Sequence, residues 1–242
     1  MRTNDTSMFG LGRNPSPVDP RDFKLSAFMP ADLGDLSGSM AWPFNSAPLD
    51  QEDWGHCVGF GGANFQINDP VQGACTNQDG HDLYYMCKAE DGEPFMENGS
   101  TVRSIAKVLQ KVGRIKNYAF ATTVDEITYW LLNHGPVIVG TWWTDGMCAP
   151  DADNVIHPDG QVRGGHCYLL NGKTAAGYYR IQNSWGTRWG VNSESRISIA
   201  DFQSLFVSGG EALSAVELPL KAAAKESCIA SFMRIFEHAV PA

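Results

Sequence analysis

Two short segments carry linked chemistry yet lie far apart in the chain, and any fold of this sequence has to bring them together. The first is Asp50-Gln51-Glu52-Asp53-Trp54-Gly55-His56-Cys57-Val58. The second is Gly164-Gly165-His166-Cys167 with Asn183-Ser184-Trp185-Gly186 close behind, so the thiol and imidazole are 166 − 57 = 109 residues apart. A thiol is mostly protonated at neutral pH, and a working nucleophile needs an imidazole beside it and often a helix N-terminus to favour the thiolate. Asp50, Asp53 and Gly55 are turn and cap formers, and residues 58–67 read as a buried helix despite their glycines. Cys57 is then expected at the positive end of that helix. His166 would take the proton and return it to a leaving amine, while the Asn183 side-chain carbonyl accepts the other ring N–H and fixes the tautomer. Gln51 offers an amide N–H to an oxyanion hole beside the backbone N–H of Cys57. A thiol, an imidazole and an amide in this order are the parts of a cysteine-nucleophile hydrolase.

Gln51, the aromatic Phe60 after Cys57, the Gly-Gly-His166 run and the block Gly177-Tyr178-Tyr179-Arg180-Ile181-Gln182-Asn183-Ser184-Trp185-Gly186-Thr187-Arg188-Trp189-Gly190 resemble the papain-like cysteine peptidases in order and content. The resemblance covers roughly residues 47 to 220, and its last block is the most specific. It implies an α+β, papain-like two-lobe fold: a helical lobe and an antiparallel β-barrel-like lobe with the active-site cleft between them. It further implies that Trp185 shields the His–Asn hydrogen bond, that Trp189 packs nearby, and that the Gly164-Gly165 pair is similar to the cathepsin B variant. Departures are visible as well. Trp54 stands where the family has a structural cysteine, so one family disulfide cannot form. The separations from Cys57 to His166 and to Asn183 (183 − 57 = 126) fall short of the roughly 130–150 residues usual in papain-like chains. The helical lobe is therefore shortened, ahead of Gly135-Pro136-Val137. His56 beside Cys57 reads as a solvent-exposed helix-start residue.

Composition excludes several classes. A formal charge of −9 with only 18 Lys plus Arg argues against nucleic acid and anionic membrane as partners. No apolar run is long enough to span a bilayer, and the polar start Met1-Arg2-Thr3-Asn4 lacks a signal-peptide core. A cytoplasmic protein of a bacterial host, or a phage-associated one, is the expectation. With Cys57 assigned to chemistry, five cysteines remain. Cys75 and Cys87 have spacing suited to a small disulfide loop, but without an export signal free thiols are the better expectation. Cys75, Cys87, His81 and Asp82 match no familiar zinc spacing, so neither a metal nor another cofactor is expected. Cys167 should be a buried, apolar-behaving strand residue.

Four segments follow. Residues 1–46 hold five prolines and little periodicity, reading as an extended arm anchored by Phe23, Leu25, Phe28, Met29, Leu33 and Leu36. Within it, Ser16-Pro17-Val18-Asp19-Pro20-Arg21-Asp22-Phe23 resembles a leader of bacterial and phage papain-like proteins. A structural arm is the favoured reading and an inhibitory strap across the cleft the alternative. Residues 47–122 form the helical lobe with the nucleophile, including an amphipathic helix from Val102 capped by Ser100 or Thr101 and stopped at Gly113; residues 70–94 read as irregular. Residues 123–220 form the β-rich lobe with His166 and Asn183. It opens with a helix from Thr123 to Asn133 whose terminal His134 meets the last carbonyls, followed by strands at 137–143, 165–170, 178–182, 195–199 and 213–218. Residues 221–242 form a C-terminal helix with an apolar stripe (Ile229, Phe232, Met233, Phe236), suited to packing on the same chain or to self-association or a particle contact.

By the resemblance, Gly99 and Ser100 lie where a glycine-rich wall pairs with substrate backbone, and Val102, Gly140 and Gly164 line a second specificity pocket. Gly165 and Trp185 border the same cleft. Small walls suggest a roomy apolar pocket for a bulky hydrophobic side chain two positions before the scissile bond. The expected function is a cysteine endopeptidase acting on peptide or protein substrates through Cys57, His166, Asn183 and Gln51. A hydrolase of cell-wall peptides shares the chemistry. A catalytically silent peptide-binding or structural homologue is the third reading, against which the complete residue set argues.

Overall fold

The computed structural model describes residues 9–44 and 46–217. In chain order the elements are β1 (Arg13–Asn14), β2 (Met40–Ala41), α1 (Cys57–Ile67), α2 (Asn77–Glu90), β3 (Ser100–Thr101), α3 (Val102–Lys111), β4 (Asn117–Phe120), α4 (Val124–Asn133), β5 (Val137–Thr144), β6 (Val162–Lys173), β7 (Tyr178–Gln182), β8 (Glu194–Ser198), α5 (Ile199–Val207) and β9 (Glu211–Glu217).

Side-chain alternation along β6 explains the layering. Cys167 and Leu169 point to one face and join a core with Val58, Phe60, Ile105 and Leu109 from α1 and α3. Tyr168 and Leu170 point to the other and join Ile127, Leu131, Phe202 and Leu205 from α4 and α5. Period-two alternation thus feeds two cores, with helices on both faces. The sheet runs in the order β4-β9-β5-β6-β7-β8, with β2 adding to β6. Its pairs are antiparallel. It ends at β4 and β8 and does not close, which corrects the barrel-like expectation: the two ends have no ladder between them.

Helix starts follow local chemistry. The Thr101 side chain accepts the Ser104 N–H and Thr123 accepts the Glu126 N–H, and Gly113 sits at φ +73 just past α3, as its stop role demands. Helix α2 corrects the reading of residues 70–94 as irregular. Its Thr76/Asp79 pair makes a full capping box, a start signal obscured by the Asn, Asp and Gly content of the turn that follows. Strand β4 and helix α5 also went unread, β4 because it is short and α5 because its Ser198 cap lies inside a strand-like run.

The arm is anchored by fewer residues than its apolar content suggests. Leu25 is fully buried in the α4/α5 core, whereas Phe23 and Phe28 are largely exposed and meet edge to face. Arg103 of α3 holds the arm through Asp22 and the Pro17 carbonyl. Cys87 is a free buried thiol and closes no loop with Cys75; Cys75 is disulfide-bonded, against the expectation of a free thiol. Cys167 is buried and free, as expected. The C-terminal helix expected over 221–242 lies outside the described residues. Among the described residues no helix is long and apolar enough to cross a membrane.

Helices α1 and α2 cross at a glycine. A Cβ on Gly59 would overlap the Gly80 carbonyl and lie 2.5 Å from the Tyr84 nitrogen, both backbone atoms that cannot rotate away. Gly59→Ala improves intrinsic helix propensity by about 1 kcal/mol, but the crossing has no room, and overpacking against backbone costs about 1–3 kcal/mol or more. A net loss of stability is expected, measured as a lower urea midpoint at unchanged m-value; a stabilised protein would show that the helices do not cross this closely.

Candidate active site

Cys57 opens α1 and is fully buried. His56 occupies the N-cap position without a side-chain cap, so Asp50, Asp53 and Gly55 do not cap this helix as expected. Asp50 instead accepts the Glu52 N–H and pairs with Arg188. The chain ahead of α1 is stitched to the segment after β7: the Gln51 N–H donates to the Ser184 carbonyl at 2.8 Å and the Gly186 N–H to the Leu49 carbonyl at 3.0 Å. From inside α1, Asn64 donates to the Asn183 carbonyl at 3.2 Å. The segments that carry Cys57, Gln51 and Asn183 therefore share one hydrogen-bonded frame.

His166 lies on β6 with its ring fully buried. Its Nε2 is 2.8 Å from Asn183 Oδ1, which also accepts the Ser184 N–H at 2.8 Å. With the amide oxygen as acceptor, the ring N–H must be on Nε2, leaving Nδ1 as the basic nitrogen. Nδ1 is buried without a hydrogen-bond partner. Trp185 stacks on the ring at 4.5 Å between centroids and Trp143 meets it edge-on at 4.8 Å, while Trp189 packs on Trp185 at 5.9 Å. The backbone N–H of Cys167, the residue after His166, faces the Cys57 thiol. His166 is thus bonded to Asn183, and Gln51 to the segment that follows it, while the Cys57 thiol faces the backbone beside His166 and makes no hydrogen bond to its Nδ1.

The cleft beside them is filled by the arm. Phe9 stacks on Trp185 at 4.3 Å. The Gly10 carbonyl accepts from Gln51 Nε2 at 3.0 Å, the donor expected in the oxyanion hole, whose other acceptor is the Trp54 carbonyl at 2.6 Å. Leu11 lies over Gly164: a Cβ there would sit 3.2 Å from the leucine side chain. The Gly12 carbonyl accepts the Ser100 N–H at 2.9 Å, and β1 pairs in parallel with β3. At Gly12 itself a Cβ would overlap the Gly55 carbonyl, so only glycine lets the arm run this close to the nucleophile loop. Gly99, Ser100, Gly164, Gly165 and Trp185 all line the path of residues 9–14, and Val102 walls the pocket that takes Arg13. Residues 9–14 thus follow the course that the alternative reading of the arm, a strap across the cleft, calls for.

Burial sets the charge state. It pushes the Cys57 thiol up to about 11, opposed by the N–H groups of Cys167 and Gly12. It brings His166 down to about 4, opposed by the Asn183 hydrogen bond. With the arm docked, burial thus favours the uncharged form of both groups.

Two contributors were not legible. His56 is buried, not solvent-exposed: its Nδ1 is 2.7 Å from His81 Nδ1, its Nε2 2.6 Å from Glu97, and Tyr84 stacks on it at 3.8 Å. Helix α2 also braces the wall. Tyr84 Oη accepts the Gly99 N–H at 3.1 Å, and the buried Lys88 Nζ donates to the Gly99 carbonyl at 2.9 Å. The Thr76-x-x-Asp79 box was the only signal for either, since it places His81, Tyr84 and Lys88 on one helix. His134 ends α4, where its backbone N–H meets the Trp130 carbonyl at 2.8 Å and its ring stacks on Trp130, as its position suggested.

No protein-family model matches the sequence, and no curated protein matches it. Solved structures do. Xylellain, a cysteine protease from Xylella fastidiosa, is similar over 86% of this chain and 96% of its own, with a TM-score of 0.67 at 17% identity. Procathepsin B S9 from Trypanosoma congolense is similar over 90% of this chain and 88% of its own (TM-score 0.61, 14% identity). Digestive procathepsin L 3 of the Tenebrio molitor larval midgut is similar over 86% and 76% (TM-score 0.58, 14% identity). At these identities the likeness speaks for architecture, and with the two-lobe arrangement above it establishes that this chain has the papain-like fold.

Proposed function

We propose that the chain is a cysteine endopeptidase held latent by residues 9–14 of its own arm. The observation that carries this is the ring of His166: Nε2 bound to Asn183 Oδ1 under a stacked tryptophan, with the unpartnered Nδ1 left to act as base. Cys57 attacks a substrate carbonyl carbon, its proton passing to His166 Nδ1. The oxyanion is held by Gln51 Nε2 and the Cys57 N–H. Collapse expels the amine with the His166 proton, and water resolves the thioester by the same base. Ser184 Oγ donates to Gln51 Oε1 at 2.6 Å, which fixes the amide so that its N–H side faces the cleft. A binding protein needs none of this.

Latency rests on what the thiol meets. In the docked arm a donor, the Gly12 N–H, faces Cys57, and the carbonyl at Gln51 belongs to Gly10. A thiol facing an N–H has no carbon to attack, so the arm inhibits without being consumed.

Intact-mass labelling with an epoxide thiol inhibitor tests the assignment. The chain lacking residues 1–14 should take up one label quickly, the full chain slowly, and Cys57→Ala none. Equal labelling of Cys57→Ala would remove Cys57 from the role.

The pH dependence distinguishes the two forms. Because burial raises the thiol to about 11, the docked chain should hold very little thiolate at pH 7. Its alkylation by iodoacetamide should therefore climb about tenfold per pH unit well beyond pH 9. Removing the arm hydrates both groups and lets them pair, so reactivity should already be high near neutrality and follow the coupled pair. Identical profiles with and without the arm would contradict arm burial as the cause.

A further inference from the structure

One arm side chain is placed differently from the rest. Arg13 leaves the cleft surface and runs into a pocket where its side chain has no exposure at all. Its Nη2 donates to the Gly209 carbonyl at 3.0 Å and forms an ion pair with Glu211. The guanidinium lies 5.9 Å from the centre of the Trp142 ring, within cation–π range. The walls are small where the stem passes. A Cβ on Gly140 would sit 2.8 Å from Arg13 Nε and 2.7 Å from Val102 Cγ2, and one on Gly165 would lie 3.2 Å from Arg13 Cδ. Glu211 is the first residue of β9 and pairs across the sheet with Gly140, which aims its carboxylate at the pocket end.

The pocket expected to be wholly apolar therefore ends in a carboxylate. Val102 and Gly140 lie beside the Arg13 side chain, whereas Gly164 lies under Leu11 and Gly165 takes its place here; Glu211 comes from a strand far along the chain. The Glu211 side chain is largely but not fully covered, 16% exposed with the arm in place, and a carboxylate at the end of a pocket favours a cationic or hydrogen-bonding partner. Here Arg13 is that partner, together with the Ser16 N–H at 3.2 Å. Once the arm leaves, Glu211 loses both. An aliphatic substrate side chain entering the same space would seal a carboxylate away from water without a partner, whereas a guanidinium replaces what was lost.

We propose that this pocket selects a basic side chain in the substrate, arginine over lysine, with Glu211 as the specificity-determining residue and Arg13 as its internal stand-in. The proposal rests on the endopeptidase reading above. Arginine is favoured because its planar fork can reach the Glu211 carboxylate and the Gly209 carbonyl together while lying beside Trp142, whereas an ammonium lacks the fork. The arm is not the best possible occupant: Arg13 Nε and Nη1 are buried without partners, which keeps the plug displaceable. Arm and substrate need not run in the same direction for this, because the pocket reads only the side chain.

The test uses the full chain carrying Arg13→Ala, which empties the pocket and leaves Glu211 in place. Peptidyl epoxides identical except for arginine, lysine or leucine at the residue entering the pocket are compared by their rates of Cys57 labelling, with iodoacetamide as a small probe. The arginine probe should label faster than the leucine probe by about tenfold or more, with lysine between. Adding Glu211→Gln should bring the arginine-to-leucine ratio close to one, and Glu211→Asp should restore part of it. A leucine preference, or an arginine preference that survives Glu211→Gln, overturns the proposal while leaving the peptidase reading intact. Failure of iodoacetamide and every peptidyl probe to label Cys57 both in this variant and in the chain lacking residues 1–14 overturns both.

Discussion

Everything in this molecule is referred to one helix with no exposed side. All eleven residues of α1 are buried, and a helix that is apolar all round can sit only in an interior. It lies against α2, α3 and β6 at once, and its glycines make this possible: Gly59 admits the α2 backbone, and a Cβ on Gly61 would lie 2.7 Å from Cys167 Sγ. Cys57 is its first residue and Cys167 follows His166. The helix that fills the space between sheet and helical lobe therefore also sets the thiol against the strand that carries the imidazole.

From that helix the rest of the site is reached through short polar links. Asn64 holds the Asn183 backbone and Asn68 bonds Gln182, so the amide of the candidate triad is positioned from α1 as well as from β7. Gln51 is fixed by Ser184, the next residue after Asn183. These buried groups bond one another only in part, since Asn64 Oδ1, Asn68 Oδ1, Gln182 Nε2 and Asn183 Nδ2 have no hydrogen-bond partner; what the links supply is orientation. The arm exploits the same rigidity. It meets a preformed groove with backbone at Ser100, with an aromatic face at Trp185 and with a carboxylate at Glu211.

Local signals in the sequence carried much of this. Side chains that act on neighbours in sequence were readable: the Thr101 and Thr123 caps, the Gly113 stop, the strands at 137–143 and 165–170, and the order of Gln51, Cys57, His166 and Asn183. What was not readable depends on pairings across long separations. Glu211 reaches Arg13 over 198 positions, and neither residue has a local pattern that names the other. His56 looked exposed because it stands at a helix start; its burial depends on His81 and Tyr84 from a helix hidden in a polar stretch and on Glu97 from the loop beyond that helix. The arm's apolar residues read as anchors, yet the segment that matters most, Phe9 to Arg13, is rich in glycine because its task is close backbone approach.

The docked arm also shows why position at a helix N-terminus is not enough to make a reactive thiolate. The field of a helix end favours an adjacent anion by about 0.3–1 kcal/mol, and by about 2 in the best partly buried cases. A thiol moved from 9.0 to about 11 has been penalised by roughly 3 kcal/mol, so desolvation wins even with backbone N–H groups facing the sulfur. His166 is penalised in the same sense, since burial disfavours its cation as it disfavours the thiolate. Burial disfavours the charged form of each group, and on the proposed reading the segment that covers the cleft would also disarm its chemistry until solvent returned with its release.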